Sequence, residues 1–253
     1  MKELTCTVKS NAQIACGIFE MTVTLSDDVK VKCGQFLNIS TGNAANLLKR
    51  PFGIMRINGR DVTFCYQLKG EGTKTLSLAK PGQVLEVTLP LGNGFSIPES
   101  ARKIAVVGGG VGVFPLLSVV EGVKDRDYYS YIGFRSEKYA CLLEDFKASS
   151  KSLTVVTDDG SIGQKTNAVS AFVADYEDIS PDLIISCGPP VMLRALKSCL
   201  KERGITTPCL VSLEERMGCG IGACLVCVCK KSDGSNARVC KDGPVFNIDE
   251  VEL

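Results

Sequence analysis

The chain has 253 residues, with 29 Lys+Arg against 28 Asp+Glu and no histidine or tryptophan. A net charge of +1 offers no basic field for nucleic acid or an anionic membrane surface, and the length accommodates two domains. Without histidine there is no Ser-His-Asp triad, Cys-His nucleophile, histidine-ligated zinc or imidazole base, so chemistry must come from a cofactor or from carboxylates, amines and thiols.

The opening Met1-Lys2-Glu3-Leu4-Thr5 lacks the apolar core of a secretory signal, and a soluble, cytoplasmic protein is expected. Residues 1–98 read as a small antiparallel β-barrel. Short β-branched runs at 6–8, 17–25, 35–40, 61–68 and 84–91 are separated by turn signals, among them Asn58-Gly59 and Pro81-Gly82. Arg50-Pro51-Phe52-Gly53 stands at a strand start, where an arginine either clamps a pyrophosphate or is simply solvated. Gly70-Glu71-Gly72-Thr73 precedes a helix-like stretch at 74–79. That is either a phosphate-binding helix entry or an ordinary glycine-rich turn.

From 99 to 210 the period changes. Strands are expected at 103–107, 128–134, 153–157, 183–186 and 208–213, with helices at 113–123, 138–148, 167–176 and 191–203. Alternation of this kind builds a parallel α/β sheet. Residues 104–120 form seventeen positions without a charge, but four glycines and Pro115 break the run, so strand, turn and helix is preferred to a membrane span. Gly108-Gly109-Gly110-Val111-Gly112 occupies the place of a dinucleotide turn, although the strict G-x-G-x-x-G fails and no acid ends the second strand. Cys187-Gly188-Pro189-Pro190 ends the fourth strand. It reads as ordinary helix capping, or as a cysteine at the ligand-binding edge of the sheet.

Residues 211–253 lose this rhythm and carry Cys219, Cys224, Cys227 and Cys240 in the spacing C-x4-C-x2-C-x12-C. This is the plant-type [2Fe-2S] pattern, in which each iron takes two protein thiolates. Gly218, Gly220 and Gly222 let the loop bend and bring N–H groups to the sulfurs. Structural zinc more often uses paired C-x2-C knuckles. A disulfide framework fits poorly with thirteen cysteines and no secretory signal. Cys229 reads as a bystander.

The order of these motifs resembles the ferredoxin–NADP reductase superfamily, a flavin barrel followed by a nicotinamide domain. With the run from Ser212 through Cys224 and Val239-Cys240-Lys241-Asp242-Gly243-Pro244, it narrows to the PyrK family, electron-transfer subunits of B-type dihydroorotate dehydrogenase. The resemblance covers nearly the whole chain and implies three parts: a FAD-binding β-barrel (1–98), an NAD-binding α/β domain (99–210) and a [2Fe-2S] segment (211–253). It implies that Arg50, Pro51, Phe52 and Gly53, then Cys65, Tyr66 and Gln67, then Gly72 and Thr73, bind FAD. Gly109, Gly110, Gly112 and Pro115, with Cys187 and the segment Asp158-Asp159-Gly160-Ser161, would serve the nicotinamide site. The four cysteines would hold the cluster. The family more often has Ser at the place of Gly53 and Arg at that of Gln67, so a weaker hold on FAD is expected.

The resemblance further implies a partner, the FMN-containing catalytic subunit of dihydroorotate dehydrogenase, with two copies of each subunit. Electrons would run from dihydroorotate through FMN, cluster and FAD to NAD+, in pyrimidine biosynthesis. Hydride transfer requires no acid–base residue, so no catalytic side chain is expected here. The rival readings are a small flavin/iron–sulfur subunit of another NAD(P)H oxidoreductase, of ferredoxin–NADP or sulfide dehydrogenase type, and a zinc-stabilised binding protein.

Overall fold

The computed structural model describes residues 1–253. Six antiparallel strands close a barrel: β1 (Lys2–Ala15), β2 (Ile18–Leu25), β3 (Phe36–Ile39), β4 (Arg50–Asn58), β5 (Asp61–Gln67) and β6 (Val84–Leu91), in the order β1-β2-β5-β4-β3-β6. Alternation decides which side chains fill it. In β6, Leu85, Val87 and Leu89 are buried between more open residues, and Val8, Met21, Val23, Leu37, Val62 and Phe64 meet them inside. β1 is far longer than the 6–8 run, because pairing with β2 on one side and β6 on the other extends it through polar residues. The Asn58-Gly59 hairpin forms with Gly59 at φ +57. Helix α1 (Glu71–Ser77) plugs one end of the barrel with Leu76, and Asn11 Nδ2 donates to the carbonyls of Leu76 and Ala79.

A seven-stranded sheet follows. It comprises β7 (Lys103–Gly109), β8 (Asp127–Phe134), β9 (Ser152–Thr157), β10 (Gln164–Lys165), β11 (Leu183–Cys187) and β12 (Cys209–Ser212), with β15 (Val245–Asn247) antiparallel at one edge. The order β10-β9-β8-β7-β11-β12-β15 reverses direction between β7 and β11, the switch point where open α/β sheets bind ligands. Helices α2 (Val113–Gly122) and α3 (Leu143–Ser149) cover the face towards the barrel. The other face is covered by α4 (Ala168–Ala174), α5 (Tyr176–Ile179) and α6 (Pro190–Glu202).

Two expected helices are shorter than their patterns. A 3-10 turn at Glu137–Tyr139 and a left-handed Leu142 at φ +59 replace the first half of 138–148. The 167–176 helix breaks at Asp175. The last forty residues also contribute more than a cluster loop. They add β15 to the large sheet and form a small hairpin of β13 (Val228–Lys230) and β14 (Asn236–Arg238). No helix is long and apolar enough to cross a membrane.

Candidate functional site

A cleft opens where barrel, sheet and C-terminal segment meet. The barrel side contributes Pro51, Phe52 and Gly53 from β4, Cys65, Tyr66 and Gln67 from β5, and Thr73 from α1. The sheet side contributes Cys187, Val111, Phe114 and Pro115. Met217 and Pro244, flanking the cysteine segment, complete the wall. Phe52 stacks on Phe64 at 5.2 Å and meets Tyr66 at 5.3 Å, so the barrel wall is a rigid aromatic surface. Tyr66 donates from its hydroxyl to Asn11 Oδ1 at 2.8 Å, and burial raises its pKa.

Arg50 and Gly72 lie together beyond this wall. Arg50 engages no carboxylate, and one Nη donates to the carbonyl of Leu48. Its guanidinium lies so close to Gly72 that a Cβ there would stand 2.2 Å from Nε. A side chain here would displace the guanidinium; the backbone conformation itself does not call for glycine. Thr73 Oγ1 accepts from the N–H groups of Lys69 and Gly70 at 2.9 and 3.2 Å and donates to the Gly70 carbonyl, so it fixes the turn that Arg50 lies against. At Gly53 the situation is looser. A Cβ would meet only Pro115, at 3.4 Å, so nothing steric demands glycine.

The glycine turn at the end of β7 is displaced from its expected place. β7 runs through Gly108 and Gly109, and the chain turns at Gly110, with φ +55, into a 3-10 segment. Gly109, Gly110 and Gly112 do not wall the cleft themselves. Gly112 packs against the Cys187 carbonyl, where a Cβ would lie 2.3 Å from the oxygen, and so joins the two strands at the switch point. The segment Asp158-Asp159-Gly160-Ser161 links the neighbouring strand ends: Ser161 donates to Asp159 Oδ1 at 2.6 Å, and Glu137 N donates to Ser161 Oγ at 2.7 Å. Cys187 is fully buried, and burial, with Glu214 nearby, raises its thiol pKa.

Glu214 and Met217 lie inside the run from Ser212 through Cys224, yet that run does not single them out as cleft residues, and Lys69 lies in no motif at all. Glu214 sits beside Cys187, exposed to the open cleft. The protein crowded around the cleft raises its carboxyl pKa, and Lys69 opposes the rise. A lone acid after a short strand carries no pattern; only folding against β11 reveals it.

Cys219 lies beside Cys224 and Cys227 beside Cys240, and Cys219 is also near Cys240. Four thiolates are the donor set of a diiron centre, two for each iron. Backbone amides already face the sulfurs. Cys219 Sγ accepts from Ile221, Ala223 and Cys224 at 3.3–3.4 Å, Cys240 Sγ from Gly222 at 3.1 Å, and Cys227 Sγ from Cys240 at 3.4 Å. Burial acts to raise the Cys219 pKa, but these amides outweigh it and lower the thiol to about 6. Burial and the neighbouring Cys227 push Cys240 up to about 12. Gly220 at φ +73 and Gly222 at φ +84 are the bends that aim the amides. The residues therefore fit the cluster. The aromatic cleft with its unpaired arginine fits a flavin dinucleotide, and the sheet crevice fits a nicotinamide dinucleotide.

The comparisons with known proteins agree with this geometry. The iron–sulfur cluster binding domain of dihydroorotate dehydrogenase B matches residues 214–252. The chain is 41% identical over 250 residues to the "Dihydroorotate dehydrogenase B (NAD(+)), electron transfer subunit" of Caldanaerobacter subterraneus subsp. tengcongensis, covering 96% of both chains. It is 39% identical to the protein of that name from Bacillus pumilus, covering 100% of this chain and 99% of that one. A chain from a structure of NADH-dependent reduced ferredoxin-NADP oxidoreductase superposes with a TM-score of 0.86 at 28% identity, over 98% of this chain and 89% of that one. Phthalate dioxygenase reductase shares the fold, with a TM-score of 0.67 at 17% identity over 93% of this chain and 75% of that one.

Proposed function

We propose a function from one premise: the chain belongs to the family of electron transfer subunits of dihydroorotate dehydrogenase B (NAD(+)). It is an oxidoreductase subunit that passes electrons between dihydroorotate dehydrogenase and NAD, with FAD, a [2Fe-2S] cluster and NAD as cofactors. The observation that carries the reading is convergence. Barrel, switch-point crevice and cysteine segment share one cleft, whose wall includes Met217, two residues before Cys219.

When bound, FAD exchanges a hydride with nicotinamide and single electrons with the cluster. The chain's residues bind and orient. Arg50 offers a guanidinium fork without a competing carboxylate to the FAD pyrophosphate. Pro51, Phe52, Gly53, Cys65, Tyr66 and Gln67 receive the ring system. Gly72 gives Arg50 its place, and Thr73 holds the turn beneath it. Gly112 lets the turn after β7 meet the Cys187 carbonyl, Gly110 supplies its left-handed bend and Gly109 packs on Pro189 and Met192, which would shape the crevice for the nicotinamide, with Cys187 at its edge. Cys219, Cys224, Cys227 and Cys240 hold the cluster. No side chain is assigned a proton.

The working division is a flavin unit at 1–98, a nicotinamide unit at 99–210 and a cluster unit at 211–253. The partner is a dihydroorotate dehydrogenase catalytic subunit carrying FMN, two of each subunit forming the complex. A cytoplasmic setting suits the reduced thiols that thiolate ligation needs. The likeness to the ferredoxin-NADP oxidoreductase chain favours a second reading, in which the same relay serves another oxidoreductase. Co-purification with the catalytic subunit, with FAD and iron counted in the complex, decides between them. Alone, the chain should oxidise NADH with artificial acceptors and leave dihydroorotate untouched; dihydroorotate turnover by the isolated chain overturns the subunit assignment.

A further inference from the structure

Asn93 stands two residues after β6, in the turn Gly92-Asn93-Gly94 by which the chain leaves the barrel. It meets the turn that follows the fourth cysteine. Its backbone N–H donates to the Gly243 carbonyl at 2.6 Å. Its side-chain Nδ2 donates to the carbonyls of Lys241 and Asp242 at 3.1 and 3.2 Å. Both side-chain partners are carbonyls, so the amide nitrogen must face them, and both of its hydrogens are used. One residue thus holds three consecutive carbonyls. From the other side, the N–H groups of Lys241, Asp242 and Gly243 all turn to the Arg238 carbonyl, at 3.0, 2.8 and 3.4 Å.

The ends of that turn give the contact its meaning. Cys240 opens it, and Pro244 closes it as part of the cleft wall, which Phe36 shares. Gly92 fits against the same turn: a Cβ there would stand 2.6 Å from Pro244 Cδ. Residues 240–244 are therefore a short covalent path from a cluster ligand to the cleft, and Asn93 holds every residue in its middle. These three bonds are also all the hydrogen bonds between barrel residues 1–98 and the segment 211–253. The large sheet holds that segment separately, through the pairing of β12 with β15. We propose that Asn93 is a positioning residue for electron transfer: by pinning the 241–243 carbonyls to the barrel it fixes Cys240, and the iron bound to it, relative to the flavin. The inference rests on the reading that Cys240 holds the cluster and the cleft holds FAD.

Two substitutions test it in the full chain, reconstituted with FAD and cluster. Asn93→Ala keeps the backbone bond and removes the two side-chain donors. Asn93→Asp keeps the shape but sets an oxygen against the carbonyls, with no proton to give. Wild type must bind one FAD and two irons per chain; if it does not, the cofactor reading fails, independently of Asn93. Each protein is mixed with NADH in anaerobic stopped flow. The hydride delivers two electrons to the flavin and the cluster takes one of them, so flavin and cluster absorbances separate the two steps. N93A should keep the hydride step within about twofold of wild type and slow cluster reduction about tenfold, the scale of a sub-ångström misplacement. N93D should slow it further, and both should shift the g-values of the reduced cluster in electron paramagnetic resonance. A residue that only stabilised its own turn would lower the thermal midpoint and leave the rate and the spectrum alone. Loss of the cluster from N93A that still folds and binds FAD also supports the proposal, since Cys240 is then no longer placed. An unchanged rate of cluster reduction in N93A overturns it. Should either variant not fold, the other decides alone by the same rate.

Discussion

The contact between Arg50 and Gly72 shows how one missing methyl group shapes a binding site. Gly72 lies in the first turn of α1, where alanine is a better helix former by about 1 kcal/mol. The guanidinium takes the space a Cβ would fill. Gly72→Ala should therefore raise the thermal midpoint slightly while weakening FAD about tenfold, or ~1.4 kcal/mol, measured by titrating the apoprotein. Unchanged FAD affinity would show that Arg50 has room to move and does not hold the pyrophosphate. Asp182 illustrates a purely structural charge. Its Oδ2 accepts from the N–H groups of Lys103 and Arg102 at 2.8 Å each, and these lower its pKa. A depressed folded-state pKa stabilises above the unfolded value of about 3.9, and the gain disappears as pH falls through the folded value. Asp182→Asn should lose under about 1 kcal/mol at pH 7, because the site is open to solvent. Unfolding curves at pH 7 and pH 2.5 check this: the gap between variant and wild type should close at the lower pH.

The cluster loop shows which parts of such an element can be read before folding. Ligand spacing is chemistry written in order, so Cys219, Cys224, Cys227 and Cys240 are legible in the sequence, and the structure brings them together. The barrel strands and the α/β alternation are legible because burial follows periods of two and 3.6. Other features depend on partners distant in sequence. Three-residue β15 exists only because β12 offers an edge. Leu142 turns left-handed against its helical pattern. Glu214 acquires its place from what lies across the cleft. Leu225 belongs to this class too: it adopts φ +60, strained for a branched side chain, and is 61% exposed beside Ile221 and Val226. Docking of the partner on this outward apolar knob is a proposal, set against its simply roofing the cluster, and one substitution separates the two. Leu225→Asp should leave the cluster's absorbance intact and weaken assembly with the catalytic subunit by tenfold or more, roughly 1.4 kcal/mol. An unchanged complex on gel filtration would remove this loop from the interface.

At the scale of the whole molecule, the cleft works only if the barrel keeps its angle to the sheet, since neither unit alone encloses it. Two kinds of contact fix that angle. One is apolar: Ile18, Met55 and Cys65 of the barrel pack with Val113, Phe114 and Leu117 of α2. The other is Arg56, on β4, which donates to both Glu121 oxygens at 2.6 and 2.8 Å and to Asp145 at 2.5 Å, with Glu20 at 3.6 Å. Glu121 and Asp145 belong to α2 and α3, so one guanidinium spans the junction. The hydrogen bonds to Glu121 raise its pKa further and keep it charged. It is about a third exposed, which limits the pair's worth, yet its removal leaves three carboxylates facing one another. Arg56→Met should cost about 1–2 kcal/mol, lowering the midpoint by roughly 2–8 °C in a chain of this size. Salt gives the sharper test. In wild type, added salt screens attraction and should lower the midpoint slightly. In R56M it screens repulsion and should raise it. If both proteins respond to salt with the same sign, the network does not brace the junction, and the angle rests on the apolar contacts of α2 with the hydrogen bonds from Gly34 N–H to Ser118 Oγ and from Cys16 N–H to the Lys138 carbonyl.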